Sequence, residues 1–150
     1  MSEKATAYNL YVVVFFQKPR FKDKKMLESR VAQEKIVGKH VFGNLYNCPE
    51  NIISDEKYLR KIVREAIKQA NMTLVSLRSW SFGGEKGGVS VIALITESHV
   101  AVHTWREYNY ATVDIYTCGE ESNPEKAFDY IVQHLRPESV TRYFADRSSG

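Results

Sequence analysis

Cysteines, blocks of like charge and long apolar runs are all scarce in this chain of 150 residues, and each scarcity removes a class of protein. Two cysteines, Cys48 and Cys118, make no disulfide framework at this length, and neither sits in a C-x-x-C or zinc-type spacing. A reducing, cytoplasmic setting is the simplest one. The 21 basic and 18 acidic residues are spread along the chain, so a net charge of +3 offers no basic block to nucleic acid or to an anionic membrane. Four histidines, His40, His99, His103 and His134, lack a metal-ligand spacing, since 99 and 103 fall at i, i+4 on an expected strand and not on a helix. No metal is expected. The apolar run from Leu10 to Phe16 is too short for a membrane span, and no small-residue cleavage site follows it.

What is present is enough apolar residue, 43%, to bury one proper core and not two. Residues 1–35 differ from the rest, with Leu10–Phe16 followed by a Lys- and Arg-rich stretch containing Pro19. They are expected to be a disposable extension or a mis-called start with Met26 as the first residue, the alternative being an added edge strand. The single domain then runs over 36–150.

Within it the periodicities alternate between the two regular types. Residues 36–46 read as a strand broken by Gly38 and Gly43. Ser54 offers a helix N-cap, with Asp55 and Glu56 in the first turn. Leu59, Ile62, Val63, Ala66, Ile67 and Ala70 follow on one stripe, and Asn71 closes the helix. Residues 72–80 form a strand, 83–88 a glycine-rich loop, and 89–95 a nearly continuous apolar strand of the kind covered on both faces. Strands at 100–105 and 111–118 alternate more plainly. Ser122 or Asn123 with Pro124 opens a second helix whose Ala127, Phe128, Ile131, Val132 and Leu135 are buried, and 140–144 is a last strand. The order β-α-β-β-β-β-α-β with tight connections predicts an α+β fold: a two-layer α/β sandwich, mainly antiparallel, with both helices on one face.

Three residues on consecutive strands carry candidate chemistry, and each also has an ordinary explanation. Ser98 suits a turn, His103 a half-buried hydrogen-bonded position, and Cys118 the end of an apolar strand. Their joint occurrence is more specific. Residues 88–119, with Glu97-Ser98-His99, His103-Thr104-Trp105 and Thr117-Cys118-Gly119, closely resemble the central block of the prokaryotic S-adenosylmethionine decarboxylase family, and a looser likeness extends from Gly38-Lys39-His40 to the second helix.

That resemblance implies a pyruvoyl-dependent decarboxylase of polyamine biosynthesis, made as a proenzyme that cuts itself between Glu97 and Ser98. Ser98 would become the pyruvoyl cofactor, which takes the substrate amine as a Schiff base. His103 would remove the Ser98 α-proton, Ser90 would assist processing, and Cys118 would return a proton during turnover. Residues 98 and 103 have opposite parity on a strand, so a turn or bulge near Ser98-His99 is needed to reset the count. Departures from the usual pattern are the long 83–88 loop and Arg106 where a proline is common. With 39–46, Trp80–Gly84 and 144–149, they resemble the archaeal branch that decarboxylates arginine to agmatine. The alternatives are S-adenosylmethionine as substrate and, more distantly, a non-catalytic binding module on the same fold. Phe82, Glu85, Trp105 and Glu107 are the substrate-binding candidates, aromatic faces suiting adenine and carboxylates a guanidinium. The resemblance also implies a homodimer, for which the exposed edges of a small sheet give a physical reason.

Overall fold

The computed structural model describes residues 36–84 and 87–149. The expectations for the 1–35 extension and for Glu85 fall outside the described residues.

Chain alternation produces one six-stranded antiparallel sheet. The strands are β1 (Lys39–Tyr46), β2 (Leu74–Phe82), β3 (Gly88–Ile95), β4 (Ser98–Trp105), β5 (Tyr110–Thr117) and β6 (Ser139–Asp146), in the spatial order β2-β3-β4-β5-β1-β6. Strands β2 to β5 form a meander. β1 then pairs with both β5 and β6, which places the first strand between the last two. Two helices lie on one face, α2 (Glu56–Gln69) and α3 (Pro124–Leu135), with a short α1 (Glu50–Ile53) before them.

The helices form where their stripes and caps predict, with one shift. The N-cap of α2 is Asp55, whose carboxylate accepts the Tyr58 N–H, and not Ser54. Ser54 instead closes α1, a turn the periodicity does not announce, with its N–H on the Glu50 carbonyl. Asn71 takes a φ of 58° just past the end of α2, the left-handed position that Asn tolerates better than most residues. Asn123 caps α3 by accepting the Lys126 N–H, with Pro124 at the first helical position.

The core lies between helices and sheet. Leu59, Ile62, Val63 and Ile67 of α2 and Phe128, Ile131 and Leu135 of α3 pack on Val41, Leu45, Val91, Val100, Val102, Val113 and Ile115, all fully buried. Val132, expected in the buried stripe, is only partly buried at its edge. Gly43 does not break β1. It makes room for Phe128, whose ring a Cβ there would approach to 2.8 Å.

Among the described residues no helix lies over the opposite face of the sheet. Strand β3 is therefore not covered on both sides as its composition predicts, and Ile92 and Leu94 stand 50% and 54% exposed. This open face carries every second residue of β3, β4 and β5, including Ser90, His99, His103, Asp114 and Tyr116.

Candidate active site

Glu97 and Ser98 sit where β3 turns into β4. The two-residue link Thr96-Glu97 is tight, and Ser98, the first residue of β4, has a φ of 151°. Side-chain-bearing residues rarely adopt a positive φ, and holding one there stores strain of order 1–3 kcal/mol. The β3–β4 pairing runs without a register shift, so there is no bulge. The adjustment is confined to Ser98, and it brings Ser98 Oγ within 3.2 Å of His99 Nδ1.

The carbonyl between the two residues is held by Cys118 from the end of β5. Glu97 O accepts the Cys118 backbone N–H at 2.9 Å and its thiol at 3.1 Å. Two donors on one carbonyl oxygen are the arrangement that stabilises negative charge developing there. The Glu97 carboxylate turns away and accepts the Thr73 N–H at 3.0 Å. Cys118 is exposed, whereas the other cysteine, Cys48, is buried among apolar residues, and that burial pushes its thiol pKa up to about 11. A reactive thiol needs access, which Cys118 has and Cys48 lacks.

His103 belongs to a different cluster. Its Nδ1 lies 2.9 Å from Ser90 Oγ across the β3–β4 pair, and its ring is 6.4 Å from that of Trp105. Phe82 at the end of β2 pairs with Gly88, and Glu107 lies exposed in the single turn Arg106–Tyr108 that follows β4. Ser90, His103, Trp105, Phe82 and Glu107 thus gather at one end of the sheet, and Glu97, Ser98 and Cys118 at the other. Five residues of strand separate 98 from 103, about 16 Å at the usual rise. Within one chain His103 does not reach Ser98.

The two departures noted in the sequence meet in space. The Arg106 guanidinium donates to the Gly84 carbonyl at 2.6 Å and its backbone N–H to the Gly87 carbonyl at 3.1 Å. A Cβ at position 87 would lie 2.7 Å from Arg106 Nε, so the glycine admits the guanidinium. The long loop and the arginine form one clasp beside the His103 cluster.

One group of side chains was not singled out by spacing. His40 and His99, to which neither spacing nor resemblance gives a role, each lie 2.9 Å from Asp114. The readable signal was parity, because 99 and 114 alternate onto the open face of adjacent strands.

Among the described residues no helix is long and apolar enough to cross a membrane. The sequence model described as S-adenosylmethionine decarboxylase matches residues 39–148. An arginine decarboxylase proenzyme of Caldivirga maquilingensis is 52% identical over 120 residues, covering 79% of this chain and 90% of that one. An arginine decarboxylase proenzyme of Ignicoccus hospitalis is 54% identical over 117 residues, covering 78% and 81%. In a crystal structure, the adenosylmethionine decarboxylase of Aquifex aeolicus superposes with a TM-score of 0.68 at 33% identity, over 75% of this chain and 91% of the other. The family match takes in every strand and helix described above, and on that ground the chain belongs to the S-adenosylmethionine decarboxylase family.

Proposed function

We propose that the chain is a self-processing, pyruvoyl-dependent decarboxylase that converts arginine to agmatine and carbon dioxide. The observation that carries the self-processing is the 97–98 turn: a serine at positive φ preceded by a carbonyl that already accepts two hydrogen bonds from Cys118.

The residues present fit the formation of a pyruvoyl group. Ser98 Oγ attacks the Glu97 carbonyl carbon, the amide C–N bond breaks, and the Ser98 nitrogen gains a proton, leaving an ester. Loss of the Ser98 α-proton expels the Glu97 carboxylate and leaves dehydroalanine, from which water releases ammonia. The products are chains 1–97 and 98–150. A pyruvoyl group at position 98 supplies a sink for the electron pair left when carbon dioxide departs. Cys118, beside position 98 and exposed, carries at Sγ the proton that returns to the substrate α-carbon.

His103 serves as the base for the Ser98 α-proton, with Ser90 orienting its ring, but it does so in a second copy of the chain. The open face supports this, since Trp80, Ile92, Leu94 and Tyr143 leave 71%, 50%, 54% and 51% of their surface exposed on it. A second sheet laid face to face covers such a surface. A two-fold axis across the sheet would bring the partner's His103 toward Ser98, and the same in reverse, giving two composite sites. Phe82, Trp105 and Glu107 then line the substrate end of each.

Arginine is favoured because the relatives at 52% and 54% identity bear that name, against 33% for the adenosylmethionine enzyme. The test is release of carbon dioxide by the cleaved protein from carboxyl-labelled arginine and, separately, from carboxyl-labelled S-adenosylmethionine. Release from arginine alone is expected; release from S-adenosylmethionine alone overturns the substrate assignment and leaves the self-processing intact.

Cys118→Ser retains a hydroxyl donor toward Glu97 O and the backbone N–H, so it is expected to cleave itself. Its turnover is expected to fall by about 10²-fold or more, the usual worth of a positioned proton donor. Mass spectrometry of the fragments and label release read the two effects separately, and normal turnover by this variant removes Cys118 from the proton-return step.

A further inference from the structure

At the start of β4 four side chains from three strands form one hydrogen-bonded series on the open face. Ser98 Oγ is 3.2 Å from His99 Nδ1, His99 Nε2 is 2.9 Å from Asp114 Oδ1, and Asp114 Oδ2 is 2.9 Å from His40 Nε2. Neighbouring residues on a strand ordinarily point to opposite faces, and only the positive φ at Ser98 lets its hydroxyl meet the next residue's ring.

Asp114 gives one carboxylate oxygen to each imidazole. Burial alone would raise its pKa, but hydrogen bonds from His40 and His99, with their charges, outweigh that and leave it below the ordinary carboxylate value. The carboxylate is therefore an acceptor only, and His99 must present an N–H to it from Nε2. In a neutral ring the remaining lone pair is then on Nδ1, which faces the Ser98 hydroxyl. A nucleophile, a base in hydrogen-bond reach and a third group orienting that base are the parts by which a weakly nucleophilic hydroxyl is activated.

We propose that His99 is the base that deprotonates Ser98 for the acyl shift onto its own hydroxyl, that Asp114 holds His99 in the competent tautomer, and that His40 holds Asp114. The inference rests on the self-cleavage reading and adds to it a base from within the same chain. The Ser98 Oγ proton passes to His99 Nδ1 as Oγ bonds to the Glu97 carbonyl carbon. The resulting oxyanion is held by the Cys118 N–H and thiol. As the Glu97–Ser98 C–N bond breaks, the proton on His99 Nδ1 goes to the leaving Ser98 nitrogen, and His99 ends neutral beside an ester and an amine. His99 touches a reacting atom and is catalytic; Asp114 and His40 are positioning residues. The division leaves the partner's His103 free for the later α-proton, since the two bases take different protons.

The charged and titratable groups around His99 are Asp114 and Tyr116 of β5, His40 of β1, and Arg147 beyond β6, whose guanidinium lies 4.4 Å from the Tyr116 ring centre. Leu94 faces it from β3. A protonated His99 has no lone pair for the Ser98 hydroxyl, so the cleavage rate falls toward acid pH.

The full chain, made in a brief pulse of cell-free synthesis, is followed for cleavage at 97–98 by electrophoresis and mass spectrometry from pH 5 to pH 9. His99→Ala is expected to slow cleavage by about 100-fold, the scale of general-base assistance, to lose the acid limb of the profile, and to recover in part with added imidazole. Asp114→Asn is expected to slow it by about 10-fold with the acid limb displaced, and His40→Gln less. If His99→Ala does not fold, His99→Gln is measured in its place for the same rate and profile. Cleavage of the His99 variant at the normal rate, or slow cleavage with an unchanged acid limb and no response to imidazole, overturns the inference while the self-cleavage reading stands. An unvaried chain that stays whole overturns both.

Discussion

A chain carrying Ser98→Ala stays whole, at 17.3 kDa, and releases no carbon dioxide from either labelled substrate. Every later step depends on the β-hydroxyl. Without it there is no ester, the Glu97 carboxylate has nothing to leave from, and position 98 ends as an ordinary amide. The loss is complete, because the electron sink supplies the chemistry, and decarboxylation falls back by the factor of at least about 10⁶ that separates enzymes from their uncatalysed reactions. The fold is not expected to suffer. Ser98 makes one side-chain hydrogen bond, at 3.2 Å to the adjacent His99, and removing it is a change within about 1 kcal/mol. A thermal melt near that of the unvaried protein, beside an uncut chain, is the result sought. A cut chain at 97–98 refutes the assignment of Ser98.

Two inactive variants restore each other when mixed in one cell. The Ser98→Ala chain cannot be cut but still offers His103 and Ser90; the His103→Ala chain keeps Ser98 but has lost the base. In a mixed dimer the second chain's Ser98 faces the first chain's intact His103, so that one site is complete and the other lacks both parts. Random pairing with two-fold symmetry gives roughly a quarter of the normal number of sites. Chains with distinguishable tags, expressed together and separated by mass, show the outcome directly. Fragments from the His103→Ala chain only, with label release near that fraction, are expected. No cleavage in the mixture means that His103 acts in its own chain, and cleavage of the His103→Ala chain alone means that it does not act on Ser98.

The residues that carry local structure were legible in the sequence, and those set by pairing were not. The α2 stripe from Leu59 to Ala70 and the Asn123-Pro124 start of α3 follow from spacing and capping, which involve neighbours within a turn or two. Asp55 displaced Ser54 as the α2 cap because a four-residue helix occupies the preceding turn, too short to leave a period. The run at 89–95 read as a doubly covered strand, yet in the single chain Ile92 and Leu94 are open, which composition alone does not distinguish from cover by a second copy. Motif likeness groups Ser98, His103 and Cys118; the strand rise sets His103 apart from the other two. Asp114 and His40 lie within the resembling segments without a role implied for them, and only the register between β1, β4 and β5 makes them neighbours of His99.

The position of β1 between β5 and β6 decides what a cut at 97–98 leaves behind. Chain 1–97 holds β1, β2 and β3, and chain 98–150 holds β4, β5 and β6. Because β1 is threaded between two strands of the other fragment, and β3 still borders β4, the fragments share three ladders of hydrogen bonds and a common core. A nick there would sever a covalent link that the architecture does not rely on. Neither fragment can drift away without dismantling the sheet, so the protein can spend a peptide bond on chemistry and remain one body.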